Sequence, residues 1–247
     1  GQFEFALQEK AGIQAVDHAV IFKHGMKEMA LQHGMLGNFM FRPSLQSVSD
    51  CQFSHSLWSD DLETNVFFDT DGDLNLSDVA YHWLAGLCEH GPALVALTNP
   101  TTNAYRREGL CKYPTVFNWG IDNRKVAYRI QNHTPNGCRM EVRYSAACNP
   151  YLTLAGVVAA GLDGLKNKLP CPEEYDLSTP QLPKTLPEAL EALENDKIIK
   201  DALGENLIRW FVESKRQVDL KFMEGYDLGQ NDTTAIKKER ELYANCA

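Results

Sequence analysis

The 247 residues carry 44% hydrophobic and 23% charged side chains, a composition typical of a globular protein and unlike that of a disordered or fibrous chain. The formal net charge of −9 argues against nucleic acid or an anionic membrane as a partner, because clustered Lys and Arg residues bind such phosphate surfaces. The seven cysteines form no CxxC pair, which predicts reduced thiols in the cytoplasm, and no apolar run is long enough to span a bilayer.

The first forty residues predict two strands around one helix. Phe3 and Phe5 alternate with polar residues, which predicts a strand already under way at the first residue, so we expect a piece of a longer protein. Apolar residues then recur at helical spacing over residues 15–33, and Gly34 stands where a C-terminal cap belongs. Residues 39–41 predict a second strand, before a polar stretch.

Three aspartates, Asp69, Asp71 and Asp73, have the alternate spacing of a calcium-binding loop. Gly72 stands at the fourth position of that loop instead of the sixth, and no glutamate closes it at the twelfth, so the sequence argues against calcium. Ser77, just behind them, is predicted to cap the N-terminus of a helix.

The rest of the chain predicts three strands and three helices, from runs of aromatic and β-branched residues and from amphipathic or Ala- and Leu-rich runs. The predicted strands are 115–119, 126–130 and 139–144, and the predicted helices are 151–168, LPEALEALEND and 205–222. Five prolines between Pro170 and Pro187 indicate a surface excursion.

Six segments resemble motifs of the class I glutamine synthetase family, in the family's order. They are GQFEF, FMFRP, NPTTNAYRR, DNRKVAYRI, RMEVRY and NPYLTLAGVVAAGLDGLKNK, and the ending EREL-Tyr243 also resembles the family's. The resemblance implies an α+β catalytic domain with a curved antiparallel sheet flanked by helices. Residues 1–170 would hold the sheet and core helices, and residues 171–247 would form a helical C-terminal region. The family's N-terminal β-grasp domain would be absent from this chain.

In active members of this family, carboxylates and a histidine hold Mg²⁺ or Mn²⁺, and arginines bind glutamate and phosphates. ATP phosphorylates the γ-carboxylate of glutamate, and ammonia then displaces the phosphate. Hard cations need oxygen ligands, and the phosphoryl charge needs fixed positive groups.

Several of these groups are retained. The resemblance implies that Glu4 and Glu141 are metal ligands. It assigns substrate and phosphate binding to four arginines: Arg107, Arg124, Arg129 and Arg143. Glu141 and Arg143 lie two residues apart on one strand face, so an ordinary ion pair between them is the alternative.

Other positions have changed. Where active members have NGSGMHxHxSL, this chain has SVSDCQFSHSL. Without a gap, Ser47 and Val48 replace the Asn-Gly pair that meets glutamate, Gln52 replaces the metal-binding histidine, and Ser54 replaces the second histidine. Val48 does not readily adopt positive φ, whereas the amide of Gln52 retains an oxygen ligand. A one-residue gap would place His55, instead of Ser54, at the second histidine.

Two further changes affect the substrate pocket. The flap LVPGxEAP becomes REGLCKYP, with Lys112 nearest to the glutamate that shields the phosphorylated intermediate. A lysine there repels ammonium and does not serve as the same base at neutral pH. After Arg143, the family's Pro-Asp becomes Ser-Ala with a deletion. Tyr175 lies in EEYDLS, which resembles a loop adenylylated in some bacterial members, but the flanking Leu-Pro is missing and we expect an ordinary surface tyrosine.

We therefore predict a glutamine synthetase-like protein without ligase activity. Within the family, the pattern most resembles the vertebrate lens member, which implies a structural or chaperone-like role in the cytoplasm of lens fibre cells and no required cofactor. It also implies a homo-dodecamer of two hexameric rings and association with lens intermediate-filament proteins. Two alternatives stay open: an active ATP-dependent ligase joining glutamate to an amine, and a pseudoenzyme with residual binding of Mg²⁺, Mn²⁺ or ATP.

Overall fold

The computed structural model describes residues 2–107, 114–228 and 232–244. Within these ranges helices surround one small sheet. The helices are α1 (Ile13–Gln32), α2 (Asp78–Glu89), α3 (Gly91–Thr98), α4 (Pro150–Asn167), α5 (Leu186–Asn195), α6 (Lys197–Leu203), α7 (Glu205–Ser214) and α8 (Thr233–Tyr243). The strands are β1 (Cys51–His55), β2 (Trp119–Ile121), β3 (Tyr128–Gln131) and β4 (Arg139–Tyr144).

The sheet has the strand order β1-β4-β3-β2. Strand β4 is antiparallel to both β1 and β3, but β2 and β3 are parallel. The α+β class is confirmed, whereas the sheet is mixed and not wholly antiparallel. Asp122, directly after β2, adopts a positive φ of 48° at the start of the connection to β3.

Two predicted strands near the start of the chain are absent. Residues 2–10 form no regular element and are all exposed, so Phe3 and Phe5 do not pair with a neighbouring strand. Residues 39–41 also form no strand, although Met40 and Phe41 are each 1% exposed. Their apolar character therefore reflects burial in the core and not strand pairing.

The predicted strand 115–119 is also misplaced. Only Trp119 belongs to a strand, and the residues before it are covered by the proline-rich excursion. The Phe117 amide donates to the Pro180 carbonyl at 2.9 Å, and the Leu182 amide donates to the Thr115 carbonyl at 2.9 Å. The proline-rich excursion, residues 170–187, thus runs along the edge of the sheet, and we call it the strap.

The predicted helices are confirmed within a few residues. Ser77 caps α2, its hydroxyl accepting from the Ala80 amide at 3.1 Å. Helices α2 and α4 pack closely because Gly161 faces the ring of Trp83, where any Cβ would overlap the indole. Helix α7 continues through a wider turn over Lys215–Leu220, so the predicted 205–222 helix is essentially continuous.

One face of the sheet packs on these helices and forms the core. Its apolar side chains come from all four strands, because side chains alternate between faces along a strand. They include Phe53, Trp119, Tyr128, Ile130, Met140 and Val142. Strand β1 was missed in the sequence because its alternation, in which Gln52 and Ser54 alternate with Phe53 and His55, lies inside a polar stretch. No described helix is both long and apolar enough to cross a membrane.

Candidate functional site

The opposite face of the sheet carries polar side chains brought into register by strand pairing. Ser54 on β1 is paired with Glu141 on β4, which is paired with Arg129 on β3, and Gln52 on β1 is paired with Arg143 on β4. Directly paired residues share a face, so these five side chains lie on one surface. We call this surface, made of Gln52, Ser54, Arg129, Glu141 and Arg143, the polar face.

Glu141 lies at the centre of the polar face and is only 6% exposed. Its Oε2 lies 3.3 Å from Nη1 of Arg129, and its Oε1 lies 3.4 Å from Nε of Arg143. Nη2 of Arg129 also reaches Oδ1 of Asp122 at 3.1 Å. Two of the four predicted arginines therefore contact Glu141, and the Glu141–Arg143 ion pair that their spacing on β4 allows is present.

His55 lies on the other side of the sheet, so the alternative that placed it in the site is wrong. Its register partner is Met140, and its ring packs among Phe53, Phe67 and Trp83. The indole Nε1 of Trp83 donates to Nε2 of His55 at 3.0 Å. Burial lowers the pKa of His55 to about 4, since the charged imidazolium is disfavoured away from water. Ser54, which is exposed on the polar face, occupies the expected position.

Ser47 and Val48 lie just before β1. Oγ of Ser47 lies 2.7 Å from Oγ of Ser44, which closes a local turn. Val48 packs against the core, and it is not among the described residues with positive φ. Nε2 of Gln2 donates to its carbonyl at 2.6 Å. The backbone here thus lacks the conformation that an Asn-Gly pair makes accessible.

Arg107 and Arg143 meet at a cleft of about 30 Å³ between α3, β4 and the strap. Asn99, which is 2% exposed, lines the same cleft, and its Oδ1 has no hydrogen-bond partner in the described structure. The guanidinium of Arg107 stacks over the rings of Phe41 and Tyr105 at 5.8 and 5.6 Å. Two arginines and a buried amide with an unsatisfied carbonyl oxygen therefore line the same cleft.

The remaining predicted residues lie apart from these groups. Arg124 is exposed in the turn between β2 and β3, and Glu4 is exposed in the irregular segment 2–10. Neither belongs to the polar face. Lys112 lies outside the described residues.

The described residues do not fit a divalent cation. In the parts of the chain that the structure describes, no three His, Cys, Asp or Glu side chains converge in a way that could hold a metal ion. Glu141 already accepts hydrogen bonds from two arginines, and its β1 neighbours contribute a hydroxyl and an amide in place of imidazoles. A cation at this carboxylate would have to share its oxygens with two guanidinium groups, whose positive charges oppose it.

A buried network behind the cleft was missed in the sequence. Glu239 on α8 is fully buried, and its Oε2 accepts from Nε of Arg106 at 2.7 Å. Tyr243, one helical turn further on, donates to Oδ1 of Asp219 at 2.6 Å. The only sequence signal was the EREL-Tyr243 ending, in which Glu239 and Tyr243 are four residues apart and therefore share a helix face.

Tyr175, in the strap, lies over the edge of the sheet. Its ring fills the space where a side chain at Gly120 would project, and Gly120 is paired with Arg129. Tyr175 is 43% exposed and adopts a positive φ of 61°. The strap therefore places an aromatic ring beside the polar face.

Comparisons with known proteins agree with this architecture. A family model described as glutamine synthetase, catalytic domain, matches residues 1–227. Glutamine synthetase of Thermus thermophilus is 36% identical over 233 residues, covering 87% of this chain and 52% of that protein. Lengsin of Homo sapiens is 35% identical over 228 residues, covering 87% of this chain and 44% of lengsin. Similarity to lengsin and to prokaryotic glutamine synthetases is thus equally strong.

Solved structures have the same fold. The chain superposes on apo GmaS with a TM-score of 0.78 at 30% identity, covering 87% of this chain and 52% of GmaS. It superposes on a crystal structure described as a novel glutamine synthase homolog with a TM-score of 0.81 at 28% identity, covering 94% of this chain and 55% of the homolog. The chain spans about half the length of these relatives. The match over residues 1–227, on the fold described above, shows that this chain belongs to the glutamine synthetase catalytic-domain family.

Proposed function

We propose that the protein is a catalytically inactive member of the glutamine synthetase family that retains an anion site suited to the phosphates of a nucleotide. One observation carries the proposal: Glu141 is held between Arg129 and Arg143, at 3.3 and 3.4 Å, on a face where Gln52 and Ser54 replace histidines. The family's chemistry needs metal ions to neutralise the transferred phosphoryl group. Here the fixed charge near the carboxylate comes from guanidinium groups.

The electrostatic balance supports an anion and not a cation as the ligand. The polar face carries two guanidinium groups and one carboxylate, and Asp122 adds a second carboxylate beside Arg129. Arg107, which lines the adjoining cleft, adds a third positive charge. Arginine binds phosphate oxygens through a planar fork of donors, and a partly buried setting strengthens such contacts. A phosphate approaching this surface would compete with Glu141 for the arginines.

For the whole protein we propose a structural or chaperone-like role in the cytoplasm. Support comes from the 35% identity to lengsin and from a scaffold that keeps its packing while the catalytic positions differ. Within this proposal the chain assembles into a dodecamer of two hexameric rings and associates with intermediate-filament proteins of the lens. Sedimentation of the whole protein tests the assembly: a species near twelve subunits is expected, and a stable monomer contradicts it.

The second candidate function is an active ATP-dependent ligase that joins glutamate to an amine. The observation that favours it is that Arg107 and Arg143 line one cleft, together with 30% identity to a GmaS structure solved as an ADP complex. Loss of the family's flap sequence would then accommodate an amine bulkier than ammonia.

Calorimetry and a phosphate-release assay separate the two candidates. We expect ATP and ADP to bind with measurable heat, and we expect no phosphate release when glutamate and either ammonia or methylamine are added with Mg²⁺. The Arg143→Gln variant should bind nucleotide more weakly, whereas Arg209→Gln, which changes an exposed arginine on α7, should bind it normally. Phosphate release that depends on glutamate and amine would overturn the inactive assignment.

A further inference from the structure

Glu239 on α8 accepts hydrogen bonds from polar side chains in the segment that precedes Arg107. Its Oε1 accepts from Oγ1 of Thr102 at 2.8 Å, and its Oε2 accepts from Nδ2 of Asn103 and from Nε of Arg106, each at 2.7 Å. The side chains of Glu239 and Arg106 are both 0% exposed. The carboxylate of Glu239, near the C-terminus, therefore accepts hydrogen bonds from three side chains of the turn at residues 102–106.

This turn is also fixed from its other side. The backbone amide of Arg42 donates to Oδ1 of Asn103 at 2.7 Å, and Nη1 of Arg42 donates to the Arg106 carbonyl at 3.2 Å. Nη2 of Arg106 donates to the Asp227 carbonyl at 2.8 Å. Arg106 is thus held at its side chain and at its carbonyl.

Arg107 follows directly and, like Arg143, lines the cleft beside α3, with its guanidinium over the rings of Phe41 and Tyr105. Its Nε donates to the Ala104 carbonyl at 2.8 Å, and its amide donates to the Tyr105 carbonyl at 2.8 Å. Both acceptors belong to the turn that Glu239 holds. The direction of Arg107 therefore depends on that turn keeping its shape.

We infer that Glu239 is a positioning residue for Arg107, so that docking of α8 sets the affinity of the cleft for phosphate. The inference rests on the proposed function for its ligand, but the mechanical link between α8 and residues 102–107 stands independently of any ligand. If α8 is loosened, Thr102, Asn103 and Arg106 lose a shared acceptor in a buried environment, which is strongly unfavourable. The turn then relaxes, and the guanidinium of Arg107 is no longer preorganised for a phosphate oxygen.

The test compares Glu239→Gln with Leu190→Ala. Leu190 is 1% exposed on α5 and packs in the main core, so its truncation destabilises the fold without a polar contact to the turn. Two quantities are measured under conditions where all variants are folded: the Kd for ATP by calorimetry, and hydrogen exchange of peptides covering residues 102–107. We expect Glu239→Gln to weaken ATP binding by about ten-fold or more and to accelerate exchange in these peptides. Leu190→Ala should change neither.

The outcomes separate the inference from the proposed function. Equal ATP affinity of wild type and Glu239→Gln overturns the inference, as does an equal loss of affinity in Leu190→Ala. If the wild-type protein binds no nucleotide, the proposed function and the predicted effect on affinity both fail, and exchange decides whether Glu239 positions the turn. In that case faster exchange at 102–107 only in Glu239→Gln supports the positioning role, and unchanged exchange overturns it.

Discussion

Arg129 and Glu141 are directly paired across the antiparallel strands β3 and β4, with Nη1 of the arginine 3.3 Å from Oε2 of the glutamate. This pairing fixes both backbones and brings the two side chains into contact. A carboxylate that would hold a metal in an active relative is here the partner of arginines. The register of β3 and β4 therefore determines which arginine neutralises Glu141 on the polar face.

We expect the Glu141→Gln variant to bind ATP and inorganic phosphate more tightly than the wild type, because Arg129 and Arg143 lose a competing carboxylate. Stability should fall by about 1–3 kcal/mol, since two nearly buried guanidinium groups lose a charged acceptor. Calorimetry gives the affinity, and urea unfolding gives the stability. In a metal-dependent ligase the same change would instead remove a ligand and weaken nucleotide binding. Glu191→Gln, at an exposed position on α5, is the matched control and should change neither quantity.

His55 should make the protein less stable as the pH falls. Its pKa in the folded state is lowered to about 4 from the ordinary histidine value of 6.5, so the unfolded state binds more protons between these values. Stability is therefore lost as the pH drops from about 6.5 towards 4, by roughly 3 kcal/mol for this group.

The His55→Phe variant should flatten this part of the pH profile. At pH 7 it should lose about 1 kcal/mol, because Nε1 of Trp83 loses its acceptor. Urea unfolding between pH 4.5 and 7 provides the measurement. An identical slope in the variant and the wild type would show that His55 does not titrate as described.

His90 should have the opposite pH dependence above neutrality. Its ring bridges Oδ2 of Asp196 at 2.7 Å and Oδ2 of Asp163 at 3.1 Å. Burial alone would lower the pKa of His90, but the hydrogen bonds and charges of the two carboxylates together raise it above 6.5. The stabilisation is therefore complete below about 6.5 and is lost as the pH rises through the raised pKa. Unfolding at pH 6 and pH 9 should reveal this loss in the wild type and a smaller loss in His90→Asn.

A pair of glycine substitutions tests the close packing of α2 on α4. Gly161→Ala should reduce stability by about 1–3 kcal/mol, because the added methyl group overlaps the ring of Trp83. Gly25→Ala, in the middle of α1, meets nothing within 4 Å and should stabilise the protein by about 0.5–1 kcal/mol. Thermal unfolding measures both. A stabilising effect of Gly161→Ala would contradict the packing described.

Helices were predicted well because their signals are local. The cap at Ser77 and the apolar periodicity of α1, α4 and α5 depend on residues within a few turns of each other. Short strands were predicted less well, because pairing partners decide them. Met40 and Phe41 have strand-like composition but are buried without a partner strand, whereas β1, inside a polar stretch, is ordered by pairing with β4.

The sequence by itself determined which residue types occupy the family's motif positions. It predicted that Gln52 and Ser54 stand where active members have histidines and that Glu141 and Arg143 share a strand face, and it showed the resemblance to glutamine synthetases. Only the tertiary structure decided that Arg129 joins this ion pair, that His55 faces the core, and that Glu239 reaches Arg106. These contacts join residues between 12 and 133 positions apart, and their geometry depends on strand register and helix docking, which no local pattern encodes.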